Sequence, residues 1–439
     1  MTVRSQFSPA ARPAPYARKP DNDPPPKRPS GAGALPVPVP PPEPAPYVQL
    51  IPLPIRVGRI PASFWGAELP ALNRSVEQGE ILPELAAGII SAMLSKAELE
   101  ALARIARWMN EKDAVYLLGA LGVIASSVER HDRKAYGADR SGFGLSRIQG
   151  LEAALSAFGM RTKRAPRDSA ETAWLIDPPW SWTVSDGERR FGEGVRAAQR
   201  LMGEAADLLQ PLRAGLIPFE ESAALTGRAA ANVEENTNVQ RDMAIKPFPE
   251  DFLEMRKYLG KILIDDIARE GPNATYTSGW TRLDLAVGVH GADFRDIAAV
   301  RTAHMPVAQQ DIVKAELALP SIADLAADVL GVERDGFRDM DREALVVSAN
   351  AAPVSLRPAL IGASRLARAT AKLAGVHWGV IQANLVKPVE IMTANELANA
   401  GVSPTAGVSG NDLEHTNRLR VERQSHPLAK VALRFDDQE

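Results

Sequence analysis

The tetrapeptide Asp177-Pro178-Pro179-Trp180 is the sharpest candidate for chemistry in this sequence. It follows the apolar residues 173–176, which predict a strand, so it is expected where the carboxyl end of a strand meets a loop. Side chains at such a place are well situated to bind a substrate. The alternative is structural: the two prolines make a rigid turn between tryptophans of a core.

The four residues resemble the DPPW motif of the adenine-N6 methyltransferases, and Trp180-Ser181-Trp182 is similar to bacterial members of that family. The resemblance implies that Asp177 and a proline carbonyl receive the amino group of the base, that Trp180 stacks on the base, and that S-adenosylmethionine donates the methyl group. Those enzymes also need a doubly wound sheet and a second motif for the cofactor. Because residues 185–187 predict a turn before a long helix, we take the rigid turn as the primary interpretation and the methyltransferase as the alternative.

Other catalytic and metal chemistry has little support in the composition. The chain contains no cysteine, which excludes a disulfide scaffold, a thiolate zinc site and a cysteine nucleophile. The six histidines show neither HxxxH nor HExxH spacing, and Gly260-Lys261 lacks the upstream glycine of a P-loop. We therefore expect no metal site and no cofactor.

Residues 334–343 contain the densest group of charges in the sequence. The carboxylates are Asp335, Asp339, Asp341 and Glu343, and the interleaved cations are Arg334, Arg338 and Arg342. The carboxylates do not have the spacing of an EF-hand, whose ligands alternate before the glycine. The interleaved arginines indicate a solvated, salt-bridged turn.

A histidine and a row of cations lie in the predicted helix at residues 363–385. His377, followed by Trp378, is either part of a ligand pocket or a buried histidine with a hydrogen-bonded ring, and the second is the commoner arrangement. Arg365, Arg368 and Lys372 fall on one side of the same helix. Such a row is usually a solvated face, although it could contact phosphate.

The positions of apolar residues predict a fold that is mainly α-helical with a minor β component. A capping box begins at Ser95, and Ser321 is an expected helix N-cap. The predicted helices cover a segment after Ser95 and residues 113–129, 146–158, 188–209, 249–270, 321–330 and 363–385. The predicted strands cover residues 172–176, 180–184 and 344–348.

Proline divides the chain into an arm and a body. Seventeen of the 35 prolines lie in residues 1–54, a density that prevents helix formation and favours extended polyproline II. We predict an extended arm over residues 1–54 and a large helical body over residues 55–439. Residues 211–248, rich in turn-forming residues, are interpreted either as a boundary that divides the body or as a long loop within one domain.

The tip of the arm is basic. Its cations are Arg4, Arg12, Arg18, Lys19, Lys27 and Arg28. Against Asp21 and Asp23 they give residues 1–30 a charge of +4, while the whole chain carries −3. The chain as a whole is therefore not a polycation that coats nucleic acid, and these six cations are the candidates for contact with nucleic acid or with a neighbouring subunit.

The sequence predicts neither a secretion signal nor a membrane span. The N-terminus has no apolar signal-peptide core, and the longest apolar stretch, residues 114–125, is far shorter than the about 20 residues that cross a bilayer. We expect a soluble protein that is used in a cytoplasm.

A basic, proline-rich arm on a helical body resembles the organisation of viral coat proteins, and the body is similar to the helix-rich capsid proteins of double-stranded RNA viruses of fungi. The resemblance implies a closed shell of many copies, with arms that reach across neighbouring subunits or toward an enclosed genome. The expected partners are copies of the chain and non-specifically bound nucleic acid, with no membrane. The expected location is the virion and the host cytoplasm.

Overall fold

The computed structural model describes residues 67–137, 145–176, 179–183, 185–245, 249–269, 271–272, 277–289, 294, 298, 301–390 and 413–433. The predicted arm and its six cations lie outside these residues, as do Asp177 and Pro178 of the tetrapeptide. The described part is mainly α-helical, which confirms the predicted fold class.

The first group of helices packs around one apolar cluster. Its members are α1 (Leu69–Glu77), α2 (Pro83–Met93), α3 (Lys96–Ile105), α4 (Glu111–Tyr136), α5 (Leu151–Thr162) and α6 (Ala170–Ala173). Helix α4 contains residues 113–129, as predicted, and most of its second half is buried. The side chains of Leu118, Leu121 and Ile124 are fully buried in this cluster. Because α4 is covered on most sides, it is the central element of this group.

A second group of long helices forms around another cluster. Its members are α7 (Asp186–Arg213), α8 (Ala223–Ile245), α10 (Ser278–Val287) and, later in the chain, α15 (Arg357–Ile381). The short helix α9 (Pro249–Arg256) lies between α8 and α10 in the sequence and packs in the first cluster through Phe252 and Met255. Gly362 of α15 lies against Thr226 of α8, and His377 lies against Gln240, so these two helices run in the same direction. Residues 223–245 are thus a helix and not the long loop considered from the sequence. The division of the body near residues 211–248 stays a prediction.

The remaining helices are shorter. Three of them complete the second cluster: α12 (Ile322–Leu330), α13 (Arg334–Asp339) and α14 (Arg342–Ala351). Helices α11 (Val307–Glu316) and α17 (Leu413–Ser425) contribute Val313 and Leu419 to a small third cluster, and α16 (Lys387–Glu390) is a single turn. A π-helical segment, Gln382–Val386, continues α15 into α16. Ser321 is the N-cap of α12, as predicted, and it also makes a capping box with Asp324. The predicted Gly331 ends the helix at a φ of 66°. Ser95 and Glu98 make the predicted capping box of α3.

The predicted helix at residues 249–270 is wrong in its second half. Helix α9 ends at Arg256, and an antiparallel pair follows: β1 (Ile262–Ile264) and β2 (Ile267–Arg269), with Ile262 opposite Arg269. Asp265 and Asp266 connect the strands with φ values of 52° and 59°. Aspartate tolerates this left-handed region better than most residues, and two such residues in succession make the turn that suits a hairpin.

The three predicted strands are absent from the described residues. Residues 172–176 include the end of α6, where Ser169 caps the helix by accepting from the N–H of Thr172. The described residues 180–183 form no strand. Residues 344–348 lie inside α14, whose buried residues Leu345 and Ala349 are four positions apart. A short apolar run fits both periods, and here capping and packing on the core favour the helix.

Gly122 marks the closest approach of α4 to the segment before α6. A Cβ atom on Gly122 would overlap the backbone of Asp168, whereas a Cβ on Gly203 of α7 would meet no atom within 4 Å. We expect Gly122→Ala to lower the free energy of unfolding by about 2–3 kcal/mol, because it forces two backbones apart. The matched change Gly203→Ala should raise it by about 0.5–1 kcal/mol, because alanine loses less backbone entropy in a helix. Urea unfolding followed by circular dichroism measures both changes, and equal effects would contradict the interpretation.

Candidate assembly surface

Helix α2 carries an exposed row of large apolar side chains. Leu82 immediately precedes the helix, and Leu85 follows three residues later. Ile89 and Met93 continue at intervals of four residues, so all four side chains lie along one side of the helix. The four side chains are 63, 57, 37 and 39% exposed, respectively. We call these four residues the apolar stripe.

The opposite side of α2 is buried in the first cluster. Ala86, Ala87 and Ile90 face inward, and α2 packs against α4. Among its eleven residues, α2 has a single charged side chain, Glu84. A helix that is apolar on all sides is normally buried on all sides. Because α2 is covered on one side only, the stripe has the character of an interface.

A row of smaller residues runs beside the apolar stripe. Glu84, Gly88 and Ala92 are all exposed and are spaced by four residues, parallel to Leu85, Ile89 and Met93. A Cβ atom on Gly88 would meet nothing within 4 Å. Side chains at spacing i, i+4 form ridges on a helix, and the space between ridges is a groove. The row at residues 84, 88 and 92 has small residues at Gly88 and Ala92 and a carboxylate at Glu84, and it borders the apolar ridge of Leu85, Ile89 and Met93.

Buried ion pairs hold α1, which precedes α2, against α4. Arg130 donates to the two carboxylate oxygens of Glu77 over 2.7 and 2.9 Å, and the ammonium groups of Lys134 and Lys257 lie 3.4 and 3.3 Å from Glu77 Oε2. Burial by itself would raise the pKa of the Glu77 carboxyl. The hydrogen bond from Arg130 and the charges of Arg130, Lys257 and Lys134 outweigh burial and lower this pKa to about 2. Helix α1 is thus fixed to α4, against which α2 also packs.

The described part of the DPPW tetrapeptide lies in an aromatic cluster. Trp180 is 5% exposed, and the centroid of its ring lies 4.5 Å from that of Tyr116. The backbone N–H of Trp180 donates to the carbonyl of Ala173 over 2.9 Å. Trp182 is fully buried and makes an edge contact with Trp174 at 6.1 Å. The Trp180 ring fills space next to α4, and the helix that precedes it in the chain, α6, ends at Ala173.

The chain after Trp180 is held by Glu188 of α7. The backbone N–H groups of Trp182 and Thr183 each donate to this carboxylate over 2.8 Å, and the hydroxyls of Ser181 and Thr183 add bonds of 2.8 and 2.6 Å. Burial raises the pKa of Glu188, although these four hydrogen bonds act in the opposite direction. The carboxylate therefore organises the turn between the tryptophans and α7.

His377 has an ordinary packing environment. Its Nδ1 lies 3.2 Å from Gln240 Oε1, and its ring lies 5.4 Å from the ring of Trp280. Burial, helped by the charge of Arg423, lowers the pKa of His377 to about 4. The histidine joins α15 to α8 and α10.

The cation row of α15 faces outward. Arg365 makes two hydrogen bonds of 2.9 and 3.2 Å with Glu234 of α8, and Arg368 and Lys372 are exposed. In the acidic cluster, Asp335 and Asp339 lie on α13 and Glu343 lies on α14, so most of it is helical and not a turn, with Asp341 between the two helices. Arg338 contacts Asp324 and Asp335, and the Asp341 side chain caps α14.

A buried ion pair joins α17 to the second cluster. Arg423 of α17 donates to both carboxylate oxygens of Asp284 on α10, over 2.9 and 2.6 Å. Arg301 Nη1 lies 3.7 Å from the same carboxylate. Asp284 is fully buried. Such a pair fixes two elements that are 139 residues apart in the sequence.

Within the part of the chain that the structure describes, no group of three or more histidine and carboxylate side chains is placed to hold a metal ion. No helix among these residues has both the length and the apolar character that a bilayer span requires. In comparisons with known proteins, neither a protein-family model nor a curated sequence matched the chain.

Sequence reasoning missed the apolar stripe. Residues 83–93 contain one charge among eleven residues, a composition that predicts burial on all sides. A signal was present in the short length of this segment between Gly79 and Ser95, because a short helix near the start of a body rarely has cover on every side. The exposed side could be identified only after α4 was placed beneath it.

Proposed function

We propose that this chain is a self-assembling structural protein, a viral coat protein that forms a multi-subunit shell around a nucleic-acid genome. The observation that carries the proposal is the apolar stripe: a contiguous row of four large apolar side chains on the surface of a helix that has one charge. Proteins that act alone rarely leave such a row in water, and it is typical of a protein–protein interface.

The way in which the surrounding helices are held supports an assembly role. The ion pairs of Glu77 and Asp284 are buried and connect elements far apart in the sequence. They make the body a unit with fixed relative positions of its helices. A closed shell needs such units, because each subunit must present its contact surfaces at constant angles.

The arm supplies the second part of the proposal. Its prolines favour an extended segment that can reach a neighbouring subunit, and its cations can contact a genome. Four net charges are sufficient to tether nucleic acid and too few to condense it. The adenine-N6 methyltransferase remains an alternative prediction, and the burial of Trp180 gives it no support.

We expect the purified full-length chain to form a large particle in light scattering at physiological salt. The double change Leu85→Glu and Ile89→Glu should convert it to small species, because it places two carboxylates in the interface. A matched control is Val347→Glu on α14, since Val347 is also exposed, at 69%. Circular dichroism should show the same helical content in all three proteins. A monomer of the unchanged chain at micromolar concentration would contradict the proposal.

A further inference from the structure

We propose that a pocket between α7, α8, α9 and the π-helical segment Gln382–Val386 binds a small, neutral aromatic molecule that carries a hydroxyl group. The pocket has a volume of about 380 Å³. Small-molecule sites typically have volumes of about 300–1,000 Å³, so this one suits a ligand of one or two rings. None of the residues that line it belongs to α2, so ligand binding here does not depend on the proposed assembly.

One wall of the pocket is aromatic and apolar. Phe191 of α7 and Phe252 of α9 make an edge contact, with 5.1 Å between the ring centroids. Phe191 makes a second edge contact with Trp174, at 5.0 Å. Met243 of α8 and Val380 of α15 also line the pocket. Because aromatic rings and thioethers both make favourable contacts with an aromatic ring, this wall suits a flat aromatic ligand.

A buried amide lies on the wall of the same pocket. Asn384 is 6% exposed and belongs to the π-helical segment. Its Nδ2 donates to the carbonyl of Val380 over 3.0 Å, and no group in the part of the chain that the structure describes donates to its Oδ1. A buried carbonyl oxygen without a hydrogen bond is costly, so it favours a ligand that brings a donor. π-Helical segments are rare and are frequent at functional sites.

The unused positions of this amide match a hydroxyl group. Oδ1 can accept a hydrogen bond from the hydroxyl, and the amide keeps a second N–H that can donate to the hydroxyl oxygen. The charged side chains that line the pocket, Arg190, Glu193 and Asp242, are all exposed and therefore lie at its mouth. An ion against the apolar wall would lose its hydration without a buried partner. We therefore expect a neutral ligand whose ring lies against the aromatic wall and whose hydroxyl reaches the amide.

The probe for this pocket is 2-naphthol, and naphthalene is the matched ligand that lacks the hydroxyl. Calorimetric titration of the full-length protein measures the binding of both. We expect one molecule of 2-naphthol to bind per chain, with a dissociation constant on the order of 0.1 mM. Naphthalene should bind about tenfold more weakly, because it leaves the amide without a partner.

Two substitutions locate the binding to this pocket. Ala197 of α7 is half-buried and lines the pocket, so Ala197→Phe fills it and should abolish 2-naphthol binding. Ala371→Phe on α15 is the matched control, because Ala371 is also half-buried and is not among the lining residues, and it should leave binding unchanged. Asn384→Leu should remove the preference for 2-naphthol over naphthalene. Circular dichroism checks that each variant keeps its helical content.

Each of three results would overturn the proposal. The first is no binding of 2-naphthol to the unchanged chain at concentrations up to about 1 mM. The second is equal affinity of the unchanged chain for 2-naphthol and naphthalene, a comparison that needs no variant to fold. The third is undiminished 2-naphthol binding by a folded Ala197→Phe variant, which would place the ligand elsewhere.

Discussion

Asp284→Asn is expected to lower the free energy of unfolding by about 3–5 kcal/mol, the usual cost of removing one partner of a buried ion pair. Asp284 is fully buried and accepts both of its hydrogen bonds from Arg423, with Arg301 close by. Asparagine has nearly the same size, so the loss reflects charge and not volume. The buried guanidinium group of Arg423 would lose the carboxylate that accepts its hydrogen bonds, and α17 would lose this ion pair with α10.

The chain contains a matched control for this change. Asp328 and Arg334 form a pair with the same two-bond geometry, at 3.0 and 2.7 Å, but their side chains are about half exposed. Asp328→Asn should therefore change the free energy of unfolding by at most about 1 kcal/mol. Urea unfolding of the three proteins at neutral pH measures both values. Similar losses for the two variants would show that burial is not what gives the Asp284 pair its strength.

Mild acid is expected to lower the free energy of unfolding through the buried histidines. Burial is the main cause that lowers the pKa of His131 to about 3 and that of His304 to about 4, below the usual value of about 6.5. The unfolded chain therefore binds these protons first as the pH falls. The stability that neutral histidine provides is present above pH 6.5 and is lost as the pH falls toward the folded pKa. Between pH 7 and pH 5 each of the two lowers the free energy of unfolding by about 2 kcal/mol.

Buried carboxyl groups act in the opposite direction. Burial raises the pKa of Glu171 to about 7, against a smaller effect of Arg164, and it raises the pKa of Glu188. The folded state binds these protons before the unfolded state does, so Glu171 adds stability as the pH falls below about 7, and Glu188 acts in the same direction. The total pH dependence therefore mixes opposing contributions, and a single histidine must be isolated by substitution.

His131→Leu isolates one of these contributions. The charges of Glu77, Arg130 and Lys134 act on the His131 ring. The ring also makes an edge contact with that of Tyr258, with 6.5 Å between the ring centroids. Leucine cannot take up a proton, so the acid loss of stability between pH 7 and pH 5 should be smaller by about 2 kcal/mol in the variant than in the wild type. Urea unfolding at both pH values gives this difference directly. Parallel pH profiles would show that His131 is not held neutral by burial.

Several local features could be predicted from the sequence because their signals lie within a few residues. The capping box at Ser95 and the N-cap at Ser321 involve partners three residues apart, and both are present in the structure. Helix α4 was predicted because its apolar pattern extends over several turns. Long periodic segments and local hydrogen bonds of this kind are largely independent of the rest of the chain.

The wrong predictions include a short segment and the second half of a long one. Residues 344–348 were predicted as a strand, and residues 257–270 were predicted to continue the helix that begins at residue 249. The apolar run at residues 344–348 is too short to distinguish a period of two from a period of 3.6. The turn at Asp265 and Asp266 and the cap at Asp341 decided the outcome, because each changed which backbone hydrogen bonds could form.

The sequence by itself determined the helical class, the helix caps, the uneven distribution of proline and the absence of cysteine chemistry. These properties follow from composition and from contacts a few residues apart. Only the tertiary structure decided that Trp180 is buried against α4, that Asp284 meets Arg423, and that α2 exposes its apolar stripe. The reason is the same in each case: burial depends on which distant helix covers a surface. Residues 83–93 look like a core helix in the sequence, and α4 reaches only one side of them.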